Sequence, residues 1–172
     1  MQFVPWQFIS QWRCTACGKC CRQYSVVLKF PEWLSIVKNF GVENTVAGLD
    51  KLYIKRKSDG SCMFLYSYGN AYLCGLQHMK PAACKIWPFK VLTEPKFGQA
   101  NRAAYDYHGM RLYVYADSNC AGLRYGTPSW EFTLSTLPEF VEIAMGKRHV
   151  QHKTTCSLSL NTFYSANHFS PF

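Results

Sequence analysis

Residues 14–21 decide the fold, and they read Cys14-Thr-Ala-Cys17-Gly-Lys-Cys20-Cys21. This run holds four of the nine cysteines in a chain of 172 residues. Three thiols at two-residue intervals point at one centre when the chain turns through them, and bacterial ferredoxins hold three corners of an iron–sulfur cube in this way. Structural zinc normally takes two separate C-x-x-C pairs or adds His. The run therefore predicts thiolate metal binding and favours an iron–sulfur cluster, of the 4Fe–4S type by this spacing, over zinc.

A disulfide framework is the alternative for so many cysteines, and three features disfavour it. Cys20 and Cys21 are neighbours, and a bond between neighbours is strained. The cysteine total is odd, which would leave one thiol over. The N-terminus has no basic start followed by an apolar stretch and a cleavage site, so secretion is not expected. We expect a cytoplasmic protein, where thiols stay reduced.

The composition excludes several protein classes. Hydrophobic residues make up 48% and charged residues 17%, so one domain can bury a core. No apolar run is long enough for a transmembrane helix. The formal net charge is +9, and two four-thiolate clusters at about −2 each would reduce it to about +5. We expect a protein partner, a redox protein or complex subunit of acidic surface, while nucleic-acid binding has weaker support.

The other candidate sites are weak. His78 lies between two cysteines and is a candidate ligand, although such a histidine more often lies at the surface. His149 and His152 form a weak H-x-x-H zinc pattern. The chain has no Ser-His-Asp set, P-loop, H-E-x-x-H motif or Gly-rich nucleotide motif, and its ten carboxylates are dispersed. The sequence therefore names no catalytic residue and leaves open whether the chain is an enzyme.

The later cysteines lie in a recognisable order of motifs. Cys62 is followed by Met-Phe-Leu, Cys74 is separated from Cys84 by nine residues that include Lys80-Pro81, and Cys120 begins Cys-Ala-Gly-Leu. Together with the N-terminal run, this order resembles the YkgJ-type cysteine-cluster family, named CxxCxxCC and expected to chelate zinc or iron. The resemblance covers residues 14–122 and implies eight metal ligands, namely Cys14, Cys17, Cys20, Cys21, Cys62, Cys74, Cys84 and Cys120.

The sequence departs from the family where Lys80 replaces an arginine, Gln77 an aromatic residue and Lys85 an arginine. Positive charge is kept, but the fork-shaped hydrogen bonding of guanidinium is lost. Cys156 lies outside the resemblance.

Spacing alone does not divide the eight cysteines. They suit two four-thiolate sites, or one cluster with spare ligands. Our first hypothesis places Cys14, Cys17 and Cys20 on one centre. Because adjacent side chains diverge, Cys21 would reach a second centre, together with Cys62, Cys74 or Cys84.

The remaining pattern predicts an α+β fold, a small irregular metal-stapled domain with a short antiparallel sheet and two or three helices. Strands are predicted over 23–30, 52–56, 63–66 and 110–116. A helix is predicted from Pro31 to a stop at Gly41, and a second helical region from Pro128 with a break at Pro138. Thr136 and Glu139 are predicted to form a capping box.

We expect residues 1–147 to form the metal-binding domain and residues 148–172 a C-terminal tail, either mobile or packed on the domain or on a partner. The predicted function is an iron–sulfur protein in electron transfer or in an accessory redox role. The first alternative is an interaction module with structural zinc or mononuclear iron. The second is an accessory subunit of a protein-modifying enzyme, because the family resemblance includes a domain of flagellin lysine methylases.

Overall fold

A computed structural model of the protein describes residues 2–153. Within that range the chain forms five α-helices and eleven strands in four small antiparallel sheets, which confirms the predicted α+β class. The helices are α1 (Lys19–Gln23), α2 (Phe30–Phe40), α3 (Ala82–Lys85), α4 (Ala100–Ala103) and α5 (Leu137–Ala144). The strands are β1 (Phe3–Pro5), β2 (Ile9–Trp12), β3 (Val27–Leu28), β4 (Thr45–Ala47), β5 (Leu52–Ile54), β6 (Leu65–Tyr68), β7 (Ala71–Cys74), β8 (Phe89–Leu92), β9 (Ala104–Tyr107), β10 (Met110–Asp117) and β11 (Leu123–Tyr125).

Strand β10 is the centre of the largest sheet and pairs with β1, β8 and β9. Its alternating apolar residues predicted a strand over 110–116, and the structure confirms it with one further residue. Helix α5 covers this sheet, because the fully buried Phe140 packs in one core with Phe89 and Val114. Each such apolar side chain contributes about 1.5–3 kcal/mol when it is buried.

A second core lies between α2 and the sheet of β3, β5 and β4. Helix α2 was predicted from Pro31 and begins one residue earlier. It ends at Gly41 as predicted, because the φ of 92° at this glycine is not helical. The Trp33 indole nitrogen donates to the Thr45 hydroxyl at 3.0 Å, which holds α2 on β4.

The strand predicted over 23–30 is shorter in the structure. Helix α1 extends through Gln23, and only Val27 and Leu28 remain a strand. Gly18 takes a left-handed φ of 68° and immediately precedes α1. Cys20 and Cys21 lie in the single turn of this helix. The strands predicted over 52–56 and 63–66 are present with shifted bounds as β5 and β6.

The helical region predicted from Pro128 differs in detail. Residues 130–144 are helical without interruption, and a π-helical stretch from Phe132 to Thr136 precedes α5. The break predicted at Pro138 is therefore wrong, because the chain stays helical through this proline. Pro138 lies where the hydrogen-bond pattern changes from the π-helical stretch to α5, and this irregularity accommodates the N–H that proline lacks. The capping box is also wrong. Thr136 has helical dihedrals, and Glu139 Oε1 accepts hydrogen bonds from the backbone N–H groups of His152 and Lys153.

Only the first residues of the predicted tail are described. Gln151 Nε2 donates to the Lys85 carbonyl at 2.7 Å, and Lys153 Nζ lies 3.1 Å from Glu131 Oε1. These contacts hold residues 151–153 against α3 and the C-terminal helical region. The rest of the tail, residues 154–172 with Cys156, lies outside the described residues.

Candidate metal centre

The loop that carries the first cysteines is held at both ends. The Arg13 N–H donates to the Gly122 carbonyl at 3.0 Å, and a Cβ on Gly122 would overlap the Arg13 carbonyl oxygen. Only glycine allows this approach, which brings the loop beside Cys120. At the other end, Tyr72 N–H donates to the Ala16 carbonyl at 2.8 Å, and the Tyr72 ring leaves no room for a side chain at Gly18.

Four cysteines line a narrow cleft of about 20 Å³ beside this loop. They are Cys14, Cys17, Cys20 and Cys120. Cys120 Sγ accepts a hydrogen bond from the Trp12 indole at 3.4 Å, and Cys14 Sγ accepts one from the Ala16 N–H at 3.4 Å. Burial raises the pKa of Cys120, and the neighbouring Cys14 and Cys17 raise it further. The three side chains therefore interact electrostatically, although Cys14 and Cys120 lie 106 positions apart in the sequence.

Asp117 positions the turn that carries Cys120. Its fully buried carboxylate accepts hydrogen bonds from the Asn119 N–H at 2.9 Å and from the Tyr24 hydroxyl at 3.0 Å. The Cys120 N–H donates to the Asp117 carbonyl at 3.1 Å. Burial, followed by the hydrogen bond to Asp117, raises the pKa of Tyr24. Asp117 thus joins the Cys120 turn to the segment that follows α1.

Five cysteines line a larger cavity of about 320 Å³ between the two cores. Cys62, Cys74 and Cys84 come from three separate segments, and the N-terminal run supplies Cys20 and Cys21. The Cys62 N–H donates to the Cys21 carbonyl at 2.8 Å, which ties the distant segments together. The other lining residues are largely apolar, and they include Ile54, Phe64, Leu76, Ile86, Trp87 and Phe89.

The cavity lowers the acidity of its thiols. Burial raises the pKa of Cys84 well above its ordinary value, and Cys74, Cys62 and Cys20 raise it further. The positive charge of Lys80 opposes this shift. Burial also raises the pKa of Cys62. Because a metal binds the thiolate, binding in the cavity must displace these protons.

Cys20 belongs to the walls of both the cleft and the cavity. Its Sγ lies 3.8 Å from Cys21 Sγ, although the two side chains were expected to diverge. Trp87 also lines both recesses, and its ring lies 4.5 Å from the Tyr24 ring. The cysteines are distributed around the two recesses, and within residues 2–153 no three His, Cys, Asp or Glu side chains converge on a single point suited to one metal ion.

The structure thus places all eight predicted cysteines at two adjoining recesses. Cys120 joins the group expected for Cys14, Cys17 and Cys20, a neighbour that spacing did not identify. His78, His149 and His152 are exposed and line neither recess. Sequence reasoning missed the roles of Tyr24 and Asp117, for which no motif gave a signal.

A family model described as "Putative zinc- or iron-chelating domain" matches residues 13–121, which include all eight of these cysteines. No curated protein and no solved structure matches the chain. Among residues 2–153, the structure contains no helix with the length and apolar character needed to cross a membrane.

Proposed function

The chain belongs to the CxxCxxCC family, and we propose that it is an iron–sulfur protein with two cysteine-bound centres. One centre would use the cleft cysteines and the other the cavity cysteines. The chemistry that such a centre supplies when bound is one-electron transfer.

The observation that carries the proposal is the grouping of the cysteines. The eight cysteines come from five places in the sequence and line two recesses that share a wall at Cys20. If Cys20 serves the cleft, each recess retains four thiols, which is the number that a zinc ion or an iron–sulfur cube takes from cysteine. The ligands of the cavity centre would then be Cys21, Cys62, Cys74 and Cys84.

The cavity fits a cluster in both its size and its chemistry. A single ion with bonds of about 2.3 Å would leave most of a volume near 320 Å³ unfilled. Its donors are soft sulfur atoms, which suit iron–sulfur clusters. The surrounding Phe64, Ile86 and Phe89 are apolar, and an apolar environment is one of the factors that set the reduction potential of a cluster.

The surface around the cleft supports a role in electron transfer to an acidic protein. Cys17 is exposed, and so are the nearby cations of Arg13, Lys19 and Arg22. No acidic residue precedes Glu32 in the sequence, and the acidic group that interacts with Arg22 is the exposed Asp59. Charge complementarity of this type steers association between partners.

Zinc is the alternative for the cleft, and the small volume of the cleft favours it. A space near 20 Å³ holds about one water-sized particle. A protein with one cluster in the cavity and one zinc ion in the cleft would match the volumes of the two recesses.

The test is elemental analysis of protein purified without oxygen, together with its visible spectrum. The proposal predicts a brown protein with about four iron and four sulfide per cluster. Eight of each would indicate two clusters, and four of each with one zinc would indicate the mixed form. A colourless protein with zinc alone would refute the iron–sulfur proposal and make the metal structural.

A further inference from the structure

Helix α3 brings Cys84 to the cavity, and it is too short to stay in place by itself. It has only four residues, and the Ile86 N–H that ends it donates to the Ala82 carbonyl at 3.0 Å. This bond lies within one turn, and an isolated turn of helix is unstable in water. The backbone of Cys74 has wider support, because it pairs with Leu65 between β7 and β6. The position of Cys84 therefore depends on contacts from other parts of the fold.

The first of these contacts comes from α2. Glu32 Oε1 accepts a hydrogen bond at 2.7 Å from the N–H of Ala82, the first residue of α3. Glu32 Oε2 accepts a second one at 2.8 Å from the N–H of Lys29, which immediately precedes α2. Pro81 precedes α3 and has no side-chain acceptor for the first N–H groups of this helix. One carboxylate therefore supplies that acceptor and joins the starts of the two helices.

The second contact comes from the segment that follows α5. Gln151 Nε2 donates at 2.7 Å to the carbonyl of Lys85, the last residue of α3. Glu139 of α5 fixes the backbone of this segment, because its buried carboxylate accepts the N–H groups of His152 at 2.8 Å and Lys153 at 2.7 Å. Helix α3 is therefore held at its first N–H and at its last carbonyl.

We propose that Glu32 and Gln151 position Cys84 as a ligand of the cavity centre. This inference rests on the proposed function, which assigns Cys84 to that centre. Neither Glu32 nor Gln151 is among the described residues that line the cleft or the cavity, so both act through the backbone of α3. Groups that hold a metal ligand in place affect metal binding although they do not touch the metal.

The experiment uses Gln151→Ala and Glu32→Ala, each with a matched control. His152→Ala is the control for Gln151→Ala, because His152 is exposed and the substitution keeps its backbone N–H. Thr45→Val is the control for Glu32→Ala. It removes the hydroxyl that accepts the Trp33 indole bond, so it weakens α2 at its contact with β4 and leaves the contact with α3 intact.

The first measurement is alkylation of the metal-free protein by iodoacetamide, with Cys84 and Cys62 compared by mass spectrometry. Cys62 also lines the cavity, but its own N–H donates to the Cys21 carbonyl at 2.8 Å. Loss of one hydrogen bond should open α3 locally, so the ratio of the Cys84 rate to the Cys62 rate should rise about tenfold in Gln151→Ala and in Glu32→Ala. Both controls should keep the wild-type ratio.

The second measurement is release of metal to a chelator. It would be made in the Cys120→Ser background, which removes a proposed ligand of the cleft, so that the cavity centre alone is followed. Gln151→Ala and Glu32→Ala should each release metal about tenfold faster than Cys120→Ser alone, which is the usual effect of losing a group that supports a metal ligand. The two controls should release it at the rate of that background.

A wild-type ratio of alkylation rates in Gln151→Ala and Glu32→Ala would overturn the inference. Equal acceleration of Cys84 and Cys62 would also overturn it, because that result indicates a general loss of stability. If wild-type protein binds no metal, the proposed function fails, whatever the alkylation ratio. If wild-type protein binds metal and the two variants release it no faster than their background, only the inference about the positioning of Cys84 fails.

Discussion

Replacing Asp117 with alanine removes a fully buried carboxylate that connects the two recesses. Its oxygen atoms accept hydrogen bonds from the Tyr24 hydroxyl at 3.0 Å and the Asn119 N–H at 2.9 Å. Tyr24 lines the cavity, and Asn119 lines the cleft beside Cys120. The substitution therefore tests whether one buried group supports the geometry of both recesses.

The expected loss follows from the two hydrogen bonds. A hydrogen bond to a charged group contributes about 1.5–3 kcal/mol, so Asp117→Ala should lower the free energy of unfolding by about 3–6 kcal/mol. For a domain of this size, each kcal/mol lowers Tm by about 2–4 °C, so Tm should fall by about 6 °C or more. Tyr24→Phe removes one of the bonds and should cost about 1.5–3 kcal/mol.

The assay is urea unfolding of the metal-free protein followed by circular dichroism. Asp106→Ala is the matched control, because exposed Asp106 accepts one turn hydrogen bond from the Gly109 N–H at 3.1 Å and should cost about 1 kcal/mol or less. Asp117→Ala and Tyr24→Phe should also be non-additive, since they share one interaction. A loss below about 1 kcal/mol in Asp117→Ala, or full additivity, would refute the reasoning.

Three further predictions test the loop, the thiols and the core. Gly122→Ala forces a Cβ against the Arg13 carbonyl, so it should destabilise the protein by about 1–3 kcal/mol and reduce the metal content of the cleft. A normal Tm together with a normal metal content would contradict the role of this close contact. In metal-free protein, iodoacetamide should modify the exposed Cys17 before Cys84, because burial raises the pKa of Cys84. Mass spectrometry would follow the two reactions, and equal rates would contradict the burial of Cys84. Phe140→Ala should cost about 3–5 kcal/mol in urea unfolding, because the side chain is fully buried, and a cost below about 1 kcal/mol would contradict its place in the core.

The sequence predicted elements whose pattern is local. Helix α2 and strand β10 have clear apolar periodicity, and both are present close to their predicted bounds. Local patterns failed where contacts distant in sequence determine the conformation. Pro138 reads as a helix breaker, but the chain stays helical through it, at the change from the π-helical stretch to α5. Glu139 reads as a capping residue, but residues 152 and 153 fold back onto its carboxylate.

The cysteines of the candidate site could be named from spacing and from the family resemblance, but their grouping could not. The position of Cys120 beside Cys14 depends on the close approach of Gly122 to the loop, and that contact joins segments about 110 residues apart. The burial of Lys80 was equally hidden, because a lysine before a proline in sequence gives no sign of a buried position. Both features require the tertiary structure.

The central claim is that two sets of cysteines hold separate centres, and metal analysis of single-cysteine variants tests it most directly. Iron, zinc and sulfide per chain would be measured in Cys120→Ser, Cys74→Ser and the control Cys156→Ser, each purified without oxygen. We predict that Cys120→Ser loses the cleft centre alone, that Cys74→Ser loses the cavity centre alone, and that Cys156→Ser matches wild type. Loss of all metal in both Cys120→Ser and Cys74→Ser would indicate one shared centre, and wild-type metal content in both would contradict ligation by these residues.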